Sequence, residues 1–325
     1  MLTRPTVLSD DHLSQRLLHR EHATVELLGV LDSGSATRNN VLLSGSSGVG
    51  KTALAKIYLR DLSHERDIGT AHVRSLGATV GGIYRSVIEA LPSGPTSVPS
   101  NRPVDNVRQQ LRETVADPVV VVLDKADDVP LEAVDTLLGT RHVTVVVVCH
   151  DPVWWRDRAA RHAGLDDRFG VEVALDRFSV DELADIVERR AEVGLRGGVG
   201  PDGAVRRCHL KHIADGVAGV ARNGIQTLQA AAELAVEREH DGIRDADIND
   251  AYDRSERAIL AANLSSLPFA HRFLYELVRQ ADGVSPAALW DRYDEAAEAA
   301  WDGRLGTPPT RRTRRHHLKK CANTG

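Results

Sequence analysis

The segment Gly45-Ser46-Ser47-Gly48-Val49-Gly50-Lys51-Thr52 constrains this chain more than any other, because it meets the spacing G-x-x-x-x-G-K-[ST] in full. The β-branched and apolar run Val41-Leu42-Leu43-Ser44 leads into it, and Thr52 to Leu62 behind it reads as a helix. Strand, glycine loop and helix in that order make an anion cradle. Glycines at 45, 48 and 50 let the backbone curl so that successive amides face anionic oxygens, and the positive end of the following helix favours the same charge. Lys51 is then placed to reach the β- and γ-phosphates of a nucleoside triphosphate, and the Thr52 hydroxyl to ligate Mg²⁺. Gly45, Ser46, Ser47, Gly48, Val49, Gly50, Lys51, Thr52 and Ala53 are the expected ATP/ADP-binding residues.

Such a site needs a second anchor, an acidic residue at the end of a neighbouring strand that holds the metal through water. Val119-Val120-Val121-Val122-Leu123-Asp124 supplies it, and Asp124 joins Thr52 as a candidate Mg²⁺ residue. Hydrolysing sites of this class usually carry glutamate next, to polarise the attacking water. Here that residue is Lys125, which cannot serve as a base while protonated. Asp127 or Asp128 would have to substitute, and a shift of two or three residues changes direction as well as reach.

Further buried-strand candidates are Ala71–Leu76, Val143–Cys149 and Val171–Leu175, separated by helical patterns at Ile83–Leu91, Val104–Val115 and Pro130–Leu138. Alternation of this kind predicts an α/β domain with a parallel sheet covered on both faces. The prolines of Pro92–Pro99 make that stretch a surface connection. After Asp176 the pattern turns all-helical. Ser179-Val180-Asp181-Glu182 has capping-box spacing and opens a helix through about Val193, followed by helical patterns at Asp202–Ala214, Gly224–Glu239 and Asp245–Asn263. Beyond Leu264 come Leu267–Ala281, Pro286–Ala300 and, after Gly306-Thr307-Pro308-Pro309, a basic helix over about Thr310–Cys321. The expected domains are 1–176, 177–263 and 264–325.

With 325 residues, 42% of them hydrophobic and 27% charged, the chain can bury a sizeable core. The apolar runs are too short to span a bilayer, and Cys149, Cys208 and Cys321 have no paired ligand spacing, so neither a disulfide framework nor a zinc site is indicated. A reducing cytoplasm is the simplest home, with no membrane partner. Charge is uneven. The net charge is −5, yet residues 304–325 carry +7 with no acid, leaving −12 for the rest. A basic end on an acidic body is either a solvated tail or a nucleic-acid footprint.

Taken together, the loop, Asp124 and an added helical domain resemble the replication-initiator branch of the AAA+ ATPases, the archaeal-type origin-recognition and cell-division-control (Orc/Cdc6) proteins. Arg20-Glu21 resembles the pair that opens that family's nucleotide domain, and Leu123–Pro130 its acidic strand end, with Lys125 in place of glutamate. Val145–Asp151 falls where the family ends a strand in a polar γ-phosphate sensor; His150 and Asp151 replace the usual pair. The resemblance implies that Arg168, in Leu165-Asp166-Asp167-Arg168-Phe169, is a finger pointed at a neighbour's nucleotide, with a salt-bridged surface arginine as the alternative. It implies that Phe178 and Arg190 contact the nucleotide from the lid; core packing is the alternative for Phe178. Gly216–Leu228 resembles the start of the second sensor helix, so Arg222 would reach back to the γ-phosphate. Asp124, Arg222 and Arg168 are the catalytic residues the resemblance implies.

The family appends a winged-helix module, and Leu267–Gly325 resembles its first part, with Thr310–Cys321 at the recognition helix. Arg311, Arg312, Arg314, Arg315, Lys319 and Lys320 are the expected DNA-binding residues. The arginines recur at spacings that let several share one helix side and meet phosphates or guanine edges. The sequence given ends at Gly325, where the family continues into a β-hairpin wing, so a truncated module and weakly specific binding are expected. The implied partners are double-stranded origin DNA, the replicative helicase and further copies of the chain on DNA. Two other readings stay open: a non-hydrolysing paralogue acting as a nucleotide-gated scaffold, and a signalling AAA+ ATPase whose C-terminus binds protein.

Overall fold

The structure, a computed structural model, describes residues 1–9, 12–32, 40–65, 68–162, 164–281, 283, 285–304, 307–311, 313–315 and 318. They fall into two compact units, Met1–Ser255 and Glu256–Gly325.

A five-stranded parallel sheet forms the first part of the larger unit. Its strands are β1 (Val41–Gly45), β2 (Gly69–Arg74), β3 (Val119–Asp124), β4 (Val143–Val148) and β5 (Val171–Leu175), in the order β2-β3-β4-β1-β5. This order places β1, which feeds the glycine loop, between β4 and β5, with Leu43 opposite Val148 and Gly45 opposite Leu175. The glycine loop therefore lies at the carboxyl edge of the sheet, beside the ends of its neighbours. Every residue of β3 is buried, which is why Val119–Asp124 reads as a continuous apolar run rather than an alternation.

Side-chain alternation along the strands builds two cores. Val121, Leu123, Val145 and Val147 face helices α3 (Val80–Ala90), α4 (Val104–Thr114), α5 (Leu131–Gly139) and α6 (Pro152–Ala160). Val120, Val122, Val146 and Val148 face α1 (Glu21–Asp32) and α2 (Lys51–Glu65). Each such buried aliphatic contributes about 1.5–3 kcal/mol relative to exposure.

The lid follows as α7 (Val180–Gly194), α8 (Arg207–Gly216), α9 (Ala221–Glu237) and the start of α10 (Asp245–Ser266). Ser179 accepts from the Glu182 amide while the Glu182 carboxylate accepts from the Ser179 amide, so the capping box is made in both directions. One helix begins later than its apolar pattern. Residues 202–206 form a turn and a bridge instead, in which Gly203 lies so close to the backbone of Gly197, Gly198 and Gly200 that a side chain would not fit. Met1–Leu8 packs with the lid rather than the sheet: Thr3 donates to the Gly194 carbonyl at 2.9 Å and Leu8 is fully buried in the lid core.

In the smaller unit, α11 (Phe269–Arg279) and α12 (Pro286–Trp301) enclose Leu274, Leu289, Trp290, Tyr293 and Ala297. Phe273 stands edge-on to Tyr293 at 5.0 Å and to Trp301 at 5.1 Å, the geometry aromatic quadrupoles favour. Residues 311, 313–315 and 318 are helical, and no strand occurs among the described residues of this unit.

Candidate nucleotide site

The loop glycines answer to different demands. Gly45, at φ +144°, passes so near β5 that a Cβ would lie 2.4 Å from the Leu175 carbonyl oxygen. Gly48, at φ +79°, is approached by the lid: a Cβ there would meet Val220 Cγ1 at 2.6 Å and Arg222 Cβ at 3.2 Å. The Arg222 amide donates to the Gly48 carbonyl at 3.2 Å, so the start of α9 rests on the phosphate loop itself. Phe178 and Gly219 close the same junction, the Phe178 amide donating to the Gly219 carbonyl at 3.0 Å.

Lys51 opens α2, and its ammonium donates to the carbonyls of Gly45 (2.5 Å) and Ser46 (2.7 Å). Burial lowers its pKa; Asp127 leads the groups that push it back up, with Asp124 after it, and Arg222 adds to the fall. Two cations from different parts of the fold thus converge on one loop and repel each other. An anion between them relieves both that repulsion and the burial of Lys51.

Thr52 Oγ1 donates to Asp124, at 2.9 Å from Oδ2 and 3.1 Å from Oδ1. Asp124 is 4% exposed, and the Lys125 amide also donates to Oδ1 at 2.9 Å. Burial opposes ionisation of this carboxyl, but His72, Thr52 and the Lys125 amide outweigh it and hold the pKa below the usual carboxylate value. A hydroxyl beside a buried, ionised carboxylate is a hard-oxygen donor set, and it fits Mg²⁺. His72 of β2 places Nε2 3.4 Å from Asp124 Oδ2. The sequence gives no sign of this neighbour, because only the β2–β3 register brings it there.

The loop after β3 is tied to the end of β4. The Ala126 amide donates to the Val148 carbonyl at 2.8 Å, and Asp127 Oδ1 accepts from the amides of His150 (2.7 Å) and Asp151 (3.1 Å). Arg158 of α6 donates to the carbonyls of Asp127 and Val129. His150 lines a groove of about 280 Å³ with Ser44, Gly45, Ser46, Pro152 and Asp176. Asp151 instead caps α6, accepting from the Trp154 amide at 2.9 Å. Neither Asp127 nor Arg158 is assigned these contacts by pattern.

Arg20 clamps three elements at once. It donates to the carbonyls of Val49 (3.2 Å) and Asp176 (2.6 Å) and stacks over the Phe178 ring at 3.6 Å. Phe178 is buried and serves as this cation's platform. The Arg190 guanidinium donates to the carbonyls of Val7 (2.7 Å) and His12 (3.2 Å), bracing the N-terminal segment. Arg168 lies at the end of a 3-10 turn and pairs with Asp135 at 2.8 Å on the surface.

Of the basic residues in the smaller unit, Arg314 requires correction. It is 7% exposed, stacks 3.8 Å over Tyr293, and pairs with Asp294 at 2.6 Å, so it belongs to the unit's packing and cannot face DNA. Arg311 is exposed and bonds Asp294 at 3.0 Å, and Arg315 is exposed. Arg312, Lys319 and Lys320 lie outside the described residues. No described helix is long and apolar enough to cross a membrane.

Residues 35–152 match the AAA domain family and residues 184–253 the Cdc6 AAA+ ATPase-type lid domain. The chain is similar to ORC1-type DNA replication protein 9 of Halobacterium salinarum, 24% identical over 98% of this chain and 88% of that protein. It is 26% identical to ORC1-type DNA replication protein 1 of the same organism, over 90% of this chain and 95% of that one. Its fold resembles the Aeropyrum pernix ORC1 protein solved in complex with DNA, with a TM-score of 0.70, 22% identity, and coverage of 100% of this chain and 88% of that one. Residues 35–152 thus form an AAA domain and residues 184–253 a Cdc6-type lid in which the start of α9 touches the phosphate loop, and over nearly its whole length the chain is similar to archaeal ORC1-type DNA replication proteins.

Proposed function

We propose that this chain is an ATP-binding DNA-replication initiator that engages duplex origin DNA and assists loading of the replicative helicase, with ATP and ADP as its conformational switch. The observation that carries the reading is the seat of α9 on the phosphate loop, Arg222 amide to Gly48 carbonyl, with Lys51 below it. Occupancy of the loop by a tri- or diphosphate would then bias the lid, because the first turn of α9 is hydrogen-bonded to the loop backbone. Thr52 and Asp124 would hold Mg²⁺, which would supply neutralisation of the β- and γ-phosphate charge. Arg222 would act on the γ-phosphate, and Arg168, released from Asp135, on the nucleotide of a neighbouring copy.

The Cdc6-type lid and the names of the ORC1-type relatives support the DNA-directed half of this reading. Arg311 and Arg315, with Arg312, Lys319 and Lys320, are the residues assigned to phosphate contact. Anisotropy titrations of a fluorescent duplex against the full chain with ATP test it. Each neutralised phosphate adds about −0.9 to the logarithmic salt slope, so about four contacts give roughly −3.6. Absence of duplex affinity at low salt with ATP present would overturn the DNA role. Lys125 favours one rival, a nucleotide-gated scaffold without turnover.

A further inference from the structure

We propose that Asp127 is the base that orients and deprotonates the attacking water in ATP hydrolysis by this chain, a task moved two residues along from the position Lys125 occupies. The inference rests on the ATP-binding reading above and goes beyond it by naming a reaction and the group that performs it.

Position 125 cannot do the work, since a protonated amine offers the water no acceptor. Asp124 cannot either, because Thr52, His72 and the Lys125 amide already surround its two oxygens. Immediately after Asp124 the chain makes an unusual turn. Lys125 adopts φ +55°, a left-handed conformation that non-glycine residues rarely take, and it bends the chain sharply at the end of β3. The Ala126 amide is then pinned to the Val148 carbonyl at 2.8 Å, and Arg158 pins the carbonyls on the far side.

The Asp127 carboxylate is thereby delivered to the end of β4. Its Oδ1 takes both strand-end amides, His150 at 2.7 Å and Asp151 at 3.1 Å. That strand end is bonded to β1, the Cys149 amide donating to the Leu43 carbonyl at 3.0 Å, and His150 shares a groove with Ser44, Gly45 and Ser46. Asp127 is thus one hydrogen bond from a residue that lines the start of the phosphate loop. Its charge is felt there: it is foremost among the groups that favour the charged form of Lys51, and, after burial, among those that push the Cys149 thiol up to about 12. No donor among the described residues binds Oδ2, which leaves the carboxylate one acceptor oxygen for a water while Oδ1 is held by the strand end.

In the step, Asp127 Oδ2 takes a proton from water as the water oxygen bonds the γ-phosphorus. The bond from that phosphorus to the β–γ bridging oxygen breaks, its electron pair leaves with ADP, and the proton passes to solvent. Strand-end amides on Oδ1 hold the carboxylate's direction throughout, the pre-orientation a base needs.

The test uses the full chain as wild type, Asp127→Asn, Lys125→Glu and the double variant. Affinity for a fluorescent ATP analogue, melting temperature and single-turnover phosphate release are measured on each. Asp127→Asn keeps an oxygen for the two amides, so the melting temperature is expected to hold and nucleotide still to bind, while single-turnover phosphate release at saturating nucleotide falls about 10²-fold or more. Lys125→Glu, which restores a carboxylate at the usual position, is expected to rescue release in the double variant. Equal release by wild type and Asp127→Asn overturns the proposal, as does a wild type that binds ATP and releases no phosphate. A loss that Lys125→Glu fails to rescue, accompanied by a lower melting temperature, assigns Asp127 to structure alone and also overturns it. A wild type that binds no nucleotide removes the ATP reading itself, and this step with it.

Discussion

Lys51 titrates under opposing influences, and the direction of its shift gives a test by pH. Burial and Arg222 lower its pKa in the free protein, whereas a bound polyphosphate favours the ammonium and raises it. Between the two values binding takes up a proton, so nucleotide affinity is expected to be constant below the free-state pKa and to fall as pH rises through it. Calorimetry in buffers of different ionisation enthalpy reads the proton directly; affinity rising over the same interval would contradict the assignment. Arg314 makes the opposite kind of prediction. Arg314→Ala is expected to cost about 1–2 kcal/mol through its stacking on Tyr293, whereas Arg311→Ala leaves stability nearly unchanged and weakens duplex binding. Thermal denaturation of the two variants separates the roles. These residues also mark what the sequence can disclose. Lys51, Thr52 and Asp124 are legible because a glycine spacing and a strand end carry their chemistry locally. Arg314 is not, since the Tyr293 and Asp294 that claim it lie about 20 residues away and only packing brings them together. Arg190 escapes local pattern for the same reason, its partners being backbone carbonyls 183 and 178 residues away in sequence.

At the scale of elements, buried strands announce themselves as unbroken β-branched runs, and β3 and β5 have the bounds that pattern gives them. Helix α6 leaves no comparable trace. Its two tryptophans are adjacent, Trp155 fully buried and Trp154 46% exposed, so composition does not reveal the inward face. The meeting of the lid and the phosphate loop is also invisible to local pattern, although the residues on both sides carry signals of their own. That contact predicts the behaviour of Gly48→Ala. A methyl at φ +79°, 2.6 Å from Val220 Cγ1, strains the loop and drives the start of α9 away. Nucleotide affinity is expected to fall about tenfold or more, because a strain of about 1.4 kcal/mol alone gives that factor. Gly50→Ala serves as a control, since it shares a positive φ and its Cβ would meet nothing within 4 Å. Equal losses in the two variants would show that backbone strain, and not the lid, sets the effect.

For the whole molecule, the reading requires the lid to distinguish ATP from ADP. Arg222→Ala is therefore expected to weaken ATP more than ADP, by about 1.5–3 kcal/mol for one charge-assisted contact. An equal loss for both nucleotides would place Arg222 in the packing of α9 rather than at the γ-phosphate. The fold class is legible from alternation alone, because a parallel sheet and an all-helical lid have different hydrophobic periods. The assembly of the site is not, because its polar ties run between residues distant in sequence: His72 to Asp124, Asp127 to His150, and Arg20 to Asp176. Underlying every part of this account is capture of a polyphosphate by the glycine loop, Lys51 and the lid that rests on it. Isothermal titration of the folded full chain with magnesium ATP tests that capture directly. The account predicts saturable heat at one nucleotide per chain, greatly reduced in Lys51→Ala; no heat from the folded wild type, or identical heat from both proteins, would contradict it.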